Sequence, residues 1–263
     1  MSSWTGEGIG YLNVCKDAAK NEDSFCVFKS NVAYTTVLEH CNYNQAAEHL
    51  DIIKNQTPQL LDVLDRFSIN DKYGSPDVAL FDPVDFCYEF TAGHFSPTTI
   101  QYVKVLSDLI ANFSLESLDG LRVLEIGVGY GGQYTILSEY INFDSYTFVD
   151  LPEVIDLTKT YLGKLGKKNE KTKFIKHSDN VISELGDYDL VISNFAFSEL
   201  YKDLQTKYID KFKQIQRGYL HCNQISNDCF SKRELCGLID GNKRCIRDVP
   251  TEHPDNYIMI WDN

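Results

Sequence analysis

The sequence predicts an α/β fold: a mostly parallel, Rossmann-like sheet with an antiparallel C-terminal hairpin, preceded by a helical N-terminal segment. Three observations predict it. From residue 121 onward, short apolar runs alternate with amphipathic stretches, the pattern of a parallel sheet wrapped by helices. The first run, with Leu121, Val123, Leu124 and Ile126, leads directly into Gly127-Val128-Gly129-Tyr130-Gly131-Gly132, where a strand must turn sharply into a helix. The last two strand-like segments, 244–249 and 257–261, are joined by a connection too short for a parallel crossover, so they should pair antiparallel.

Taken in order, residues 1–95 read as a helical cap or dimerisation segment and 96–263 as the α/β domain. Ala46, Ala47, Leu50 and Ile53 recur at helical spacing, and Pro58 can open a second helix carrying Leu60, Leu61, Leu64 and Phe67. Gly74, Pro76 and Pro83 break the pattern over 70–83, which reads as a loop. The stretch 88–95 mixes aromatics with hydrogen-bonding groups and ends near His94, a composition that suits a pocket lining as well as plain packing. Ser96-Pro97 is a helix start, and Ile100, Val103, Leu106, Ile110 and Phe113 continue one apolar face.

Beyond the glycine turn, 145–150 reads as a second strand ending on Asp150, and Pro152 opens a helix to about Leu165. A third strand covers 173–176, followed by His177-Ser178-Asp179-Asn180. A fourth covers 187–194, apolar in its middle and polar at its end. Phe197, Leu200, Leu204, Tyr208, Phe212 and Ile215 fit one amphipathic helix, 219–223 a fifth strand, and 231–238 a last helix.

A chain of 263 residues, 43% hydrophobic and 13% aromatic, can bury a full core. No apolar run approaches the roughly 18 residues that span a bilayer, and the first 20 residues lack a basic region followed by an apolar stretch, so a cytoplasmic location is expected. Eight scattered cysteines form no CxxC pair, so free thiols are expected and structural zinc is not. The formal charge is −13, of which about −10 falls in residues 1–120, and this argues against a nucleic-acid partner.

The glycines alone fit two cofactors. Gly127, Gly129 and Gly132 satisfy the dinucleotide fingerprint GxGxxG, while Gly127, Gly129 and Gly131 satisfy a GxGxG variant of S-adenosylmethionine sites. Asp150 would bind ribose hydroxyls in either class. Glu125, two residues before the first glycine, suits a cofactor carrying an ammonium group, and Ser193-Asn194-Phe195 offers a polar strand end followed by an aromatic. With the antiparallel finish, these favour S-adenosylmethionine over a nicotinamide cofactor.

Residues 123–133 (VLEIGVGYGGQ), 148–154 (FVDLPEV), 193–200 (SNFAFSEL) and the closing 256–261 together resemble the sugar O-methyltransferase family, within the class I S-adenosylmethionine-dependent methyltransferases. The similarity covers most of the chain from about residue 80 and is looser before it. It implies methyl transfer from S-adenosyl-L-methionine to a sugar hydroxyl of a nucleotide sugar, glycan or glycoside; the acidic charge and the lack of a spanning apolar run argue separately against a nucleic-acid or membrane partner. It places Glu125, Gly127, Gly129, Tyr130 and Gly131 around the methionine part, Asp150 on the ribose, Leu151 beside the adenine, and Ser178 and Asp179 at the adenine edge. A protonated hydroxyl is a poor nucleophile, so a base is needed, for which Glu199, His94 and His221 are candidates. Asn194 would position acceptor or cofactor, because an amide does not titrate. No compact ligand set points to a metal, and a divalent ion stays open, as does a homodimer. The alternatives are a non-catalytic binding protein with the same fold and a nicotinamide-dependent oxidoreductase.

Overall fold

The computed structural model describes residues 6–81, 93–223, 228–239, 241–250 and 253–263. The N-terminal segment contains α1 (Gly6–Ala18), α2 (Glu22–Val27), α3 (Val32–Thr35) and α4 (Tyr43–Gln56), then a long 3₁₀ stretch Pro58–Asp71. Asn42 and Gln45 form a reciprocal capping box that starts α4. The second expected helix is 3₁₀ instead, kinked at Val63, because its inward residues recur every three positions: Leu61, Leu64, Phe67 and Asn70 are all buried. A short antiparallel pair, β1 (Ala79–Phe81) and β2 (Gly93–Phe95), lies within the stretches read as loop. Residues 88–92 of the aromatic-rich stretch fall outside the described residues.

The α/β part begins with α5 (Pro97–Phe113). Ser96 accepts the Thr99 amide and donates to Asp71, which also accepts the Ser96 amide and the Thr99 hydroxyl, so the cap ties α5 to the N-terminal segment. There follow α6 (Leu115–Leu118), β3 (Arg122–Ile126), α7 (Gly132–Leu137), β4 (Ser145–Asp150), α8 (Pro152–Lys164), β5 (Thr172–Lys176), α9 (Val181–Glu184) and β6 (Leu190–Asn194). The chain closes with α10 (Lys202–Phe212), β7 (Arg217–Cys222), α11 (Lys232–Leu238), β8 (Lys243–Arg247) and β9 (Tyr257–Asp262). The helix expected to run on from Phe197 is split: a 3₁₀ turn over Ala196–Glu199 ends before α10 starts.

The seven strands are ordered β5-β4-β3-β6-β7-β9-β8. The first five are parallel, and β9 inserts antiparallel between β7 and β8. The expected antiparallel hairpin is therefore present, with its second strand, not its first, joined to the parallel sheet. Gly218 makes this pairing close, since a Cβ there would lie 2.0 Å from the Trp261 ring.

Side-chain alternation along the strands builds two cores. Val123, Tyr146, Phe148, Ile192, Tyr219 and Ile260 face one side, with α5, α7, α8 and the N-terminal helices packed on them. Leu124, Ile126, Val149, Val191, Met259 and Trp261 face the other, under α10 and α11. The first cluster is continuous from Tyr11 to Ile260, so the N-terminal helices share their core with the α/β part. Within it Lys29 is 1% exposed: its ammonium donates to the Asn70 carbonyl and the Tyr161 hydroxyl and lies 4.0 Å from the centre of the Tyr130 ring. Burial lowers its pKa against the opposing pull of Glu39 and Asp71.

Cys236 and Cys245 are bonded to each other, which corrects the expectation that all cysteines are free. The two lie in different elements, α11 and β8, and the fold brings them together without any short sequence motif. Among the described residues no helix is long and apolar enough to cross a membrane.

Candidate active site

The turn between β3 and α7 lies at the C-terminal end of the parallel strands. Gly127, Gly129 and Gly131 all have positive φ (77°, 53° and 88°), which a side chain disfavours. Close approach adds to this: a Cβ on Gly127 would stand 1.9 Å from Ala196 Cβ, and one on Gly129 2.7 Å from Leu38 Cδ1. The neighbours that require glycine here are thus the loop after β6 and the segment after α3.

Asp150, the last residue of β4, bridges this turn. Its Oδ2 accepts from the Val128 and Gly129 amides (2.7 and 3.2 Å) and its Oδ1 from the Leu151 amide (2.7 Å). Burial raises its pKa to about 6 although three amides favour the charged form. Leu151 is half-buried against the first core. Ser178 and Asp179 are exposed after β5, and Asn180 occupies the cap position of α9.

Glu125 points into the first core, 1% exposed, where its Oε2 accepts from the Tyr146 hydroxyl at 2.7 Å. Burial raises its pKa to about 8, so it is largely protonated at neutral pH. Tyr130 is also turned inward: its hydroxyl accepts from Asn70 Nδ2 at 2.9 Å and its ring packs on Tyr161.

A second group of residues gathers at the ends of β6 and β7. Asn194 and His221 are partners in the strand register. Asn194 Nδ2 donates to Gln133 Oε1 at 3.1 Å, while its Oδ1 is buried without a partner. Phe195 has a φ of 65° and lays its ring 3.9 Å, centre to centre, from that of His221. His221 Nε2 lies 2.9 Å from Asp248 Oδ2, and both side chains are buried. Burial would raise the Asp248 pKa, but the His221 contact and the charges of His221, Lys104 and His49 outweigh it and hold the group low. His49 beside them is pushed down to about 3 by burial and by Lys104. Asp248, His49 and Lys104 escaped the sequence reading, because residues 49, 104, 221 and 248 meet only in the fold.

The other two base candidates lie just past β6 and on β2. Glu199 Oε1 accepts from Asn223 Nδ2 at 2.7 Å, within a small network that includes Ser198. His94 is exposed on β2, opposite Leu80. A cleft of about 480 Å³ lined by Tyr134, Tyr146, Lys167 and Lys171 lies at the opposite, N-terminal end of β4 and β5, away from the glycine turn. Among the described residues no group of three or more His, Cys, Asp or Glu side chains could hold a metal ion.

No family model matches the chain. Among solved structures it is similar to a magnesium protoporphyrin IX methyltransferase from Synechocystis with bound S-adenosylmethionine, at 13% identity over 62% of this chain and 78% of that one, with a TM-score of 0.47. It is also similar to an S-adenosylmethionine-dependent methyltransferase from Aquifex aeolicus, at 22% identity over 61% and 88% of the two chains, with a TM-score of 0.43.

Proposed function

We propose that this protein is an S-adenosylmethionine-dependent O-methyltransferase whose acceptor is a sugar hydroxyl. The observation that carries the reading is the sheet, five parallel strands finished by an inserted antiparallel β9, with the glycine turn and Asp150 at the C-terminal ends of β3 and β4. The residues present fit such a cofactor: Asp150 offers carboxylate oxygens for ribose hydroxyls, and the buried Asn194 Oδ1 lacks a donor. When bound, the cofactor supplies an already activated methyl group. The chain supplies alignment and a proton acceptor, and alignment can contribute about 7 to 11 kcal/mol. The sugar acceptor rests on the family resemblance, and the net charge of −13 agrees with an acceptor that is not a polyanion.

We assign the base to His221. His221 is the register partner of Asn194 at the strand ends, and the Asp248 carboxylate 2.9 Å from its Nε2 is placed to offset the positive charge that taking the hydroxyl proton would create. A carboxylate behind an imidazole plays the same part in other proton-transfer sites.

A second reading, a binding protein with this fold and no catalysis, is favoured by one observation. Leu38 and Ala196, the chain's own side chains, fill the space against Gly129 and Gly127. Calorimetry with S-adenosylhomocysteine tests the first reading, which requires binding. A folded protein that shows none at high micromolar concentration overturns it. Binding without methyl transfer to any of a broad panel of hydroxylated acceptors supports the second.

A further inference from the structure

We propose that Glu39, in the segment following α3, is the carboxylate that receives the α-ammonium of the methyl donor's amino-acid portion. This rests on the methyl-donor reading above and assigns a contact to the N-terminal segment.

Position is the first argument. Leu38, the preceding residue, lies against the glycine turn at Gly129, so the segment carrying Glu39 is part of the wall of that turn. The Glu39 carboxylate faces the hydroxyls of Thr98, at the start of α5, and Tyr130, from the turn itself. Glu39 therefore stands where the N-terminal segment, α5 and the turn converge.

Unsatisfied chemistry is the second. Glu39 Oε1 is buried and has no hydrogen-bond partner. A buried carboxylate oxygen is costly without a donor, and a cationic N–H group satisfies both its lone pairs and its charge. Lys29 offsets part of the charge but does not hydrogen-bond to this oxygen, its ammonium being engaged by the Asn70 carbonyl, the Tyr161 hydroxyl and the Tyr130 ring.

The third is elimination of the rival. Burial raises the pKa of both carboxylates, but Glu125 already accepts the Tyr146 hydroxyl inside the core, whereas Glu39 keeps an oxygen without a donor. Asp150 already faces three backbone amides and suits neutral hydroxyls.

Two ligands separate the ammonium contact from the rest of the site. S-adenosylhomocysteine carries the α-amino acid; 5′-methylthioadenosine keeps the nucleoside and sulfur but lacks it. With the full chain, Glu39→Gln should weaken S-adenosylhomocysteine by at least about tenfold, as expected for loss of a charge-assisted hydrogen bond, and change 5′-methylthioadenosine by less than about twofold. Glu39→Asp, which keeps the charge on a shorter arm, should fall between. Equal S-adenosylhomocysteine affinity in wild type and Glu39→Gln overturns the proposal, as does an equal loss for both ligands, which would mark a purely structural role. Should Glu39→Gln fail to fold, the same comparison on Glu39→Asp decides: a loss confined to S-adenosylhomocysteine supports the assignment, and no difference between the ligands overturns it. Wild-type protein that binds neither ligand overturns the methyl-donor reading itself, a result distinct from all of these.

Discussion

His221 Nε2 lies 2.9 Å from Asp248 Oδ2, joining the end of β7 to the residue just after β8 across two buried side chains. If the imidazole takes the acceptor proton, His221→Ala should lower turnover by about 10²- to 10⁴-fold while leaving S-adenosylhomocysteine affinity nearly unchanged. Asp248→Asn should lower turnover by a smaller factor. Steady-state kinetics on these variants with Glu199→Gln and His94→Ala checks the assignment, and normal turnover in His221→Ala would reject it.

Glu125 sets a pH dependence of stability. Its pKa is raised from 4.5 to about 8 in the folded state, so its contribution is fully present below pH 4.5 and is lost as pH rises through 8. The loss between pH 5 and pH 9 should be on the order of 4 kcal/mol, from the free-energy value of a pKa unit. Glu125→Gln cannot ionise. Thermal or urea unfolding should therefore show wild type losing stability across that window relative to Glu125→Gln, and parallel curves for the two proteins would contradict this.

Two glycines should respond oppositely to alanine. Gly127 combines a φ of 77° with Ala196 in the space a Cβ needs, and Gly127→Ala should cost several kcal/mol or prevent folding. Gly163, in α8, has open space around it, and Gly163→Ala should stabilise by about 0.5 to 1 kcal/mol. Denaturation of both variants provides the comparison.

Ser96 joins two parts of the chain. Ser96→Ala removes the cap of α5 and one of the bonds to Asp71, and should cost about 2 kcal/mol, near the upper end for a capping residue. Ser96→Asn, another good capping residue, should lose less if the cap dominates. Urea titration measures both.

Most of the sheet was legible in the sequence, because strands β3 to β7 are short apolar runs separated by turn residues and helical periodicity. Ser145–Asp150 matches its expected boundaries, and the antiparallel finish follows from connection length alone. The long 3₁₀ stretch was less legible because Leu60, Leu61, Leu64 and Phe67 fit an α period nearly as well, and only Asn70 extends the threefold spacing. At the site, residue type and chain position located the glycine turn and Asp150. They could not reveal that Tyr146, near the start of β4, would draw Glu125 into the core. Nor could they assemble His49, Lys104, His221 and Asp248, whose proximity depends on α4, α5, β7 and the segment after β8 being packed together.

The packing of α1 against α8 bears on how the chain matures during synthesis. Thr160 donates to the Ala19 carbonyl across 141 positions of sequence, and Tyr11 and Cys15 are buried in the shared core. At about 5 to 20 residues per second, the ribosome needs roughly 7 to 30 s to make the partner that covers this helix. During that interval the first-made helices lack the partner that covers their apolar surface in the finished protein.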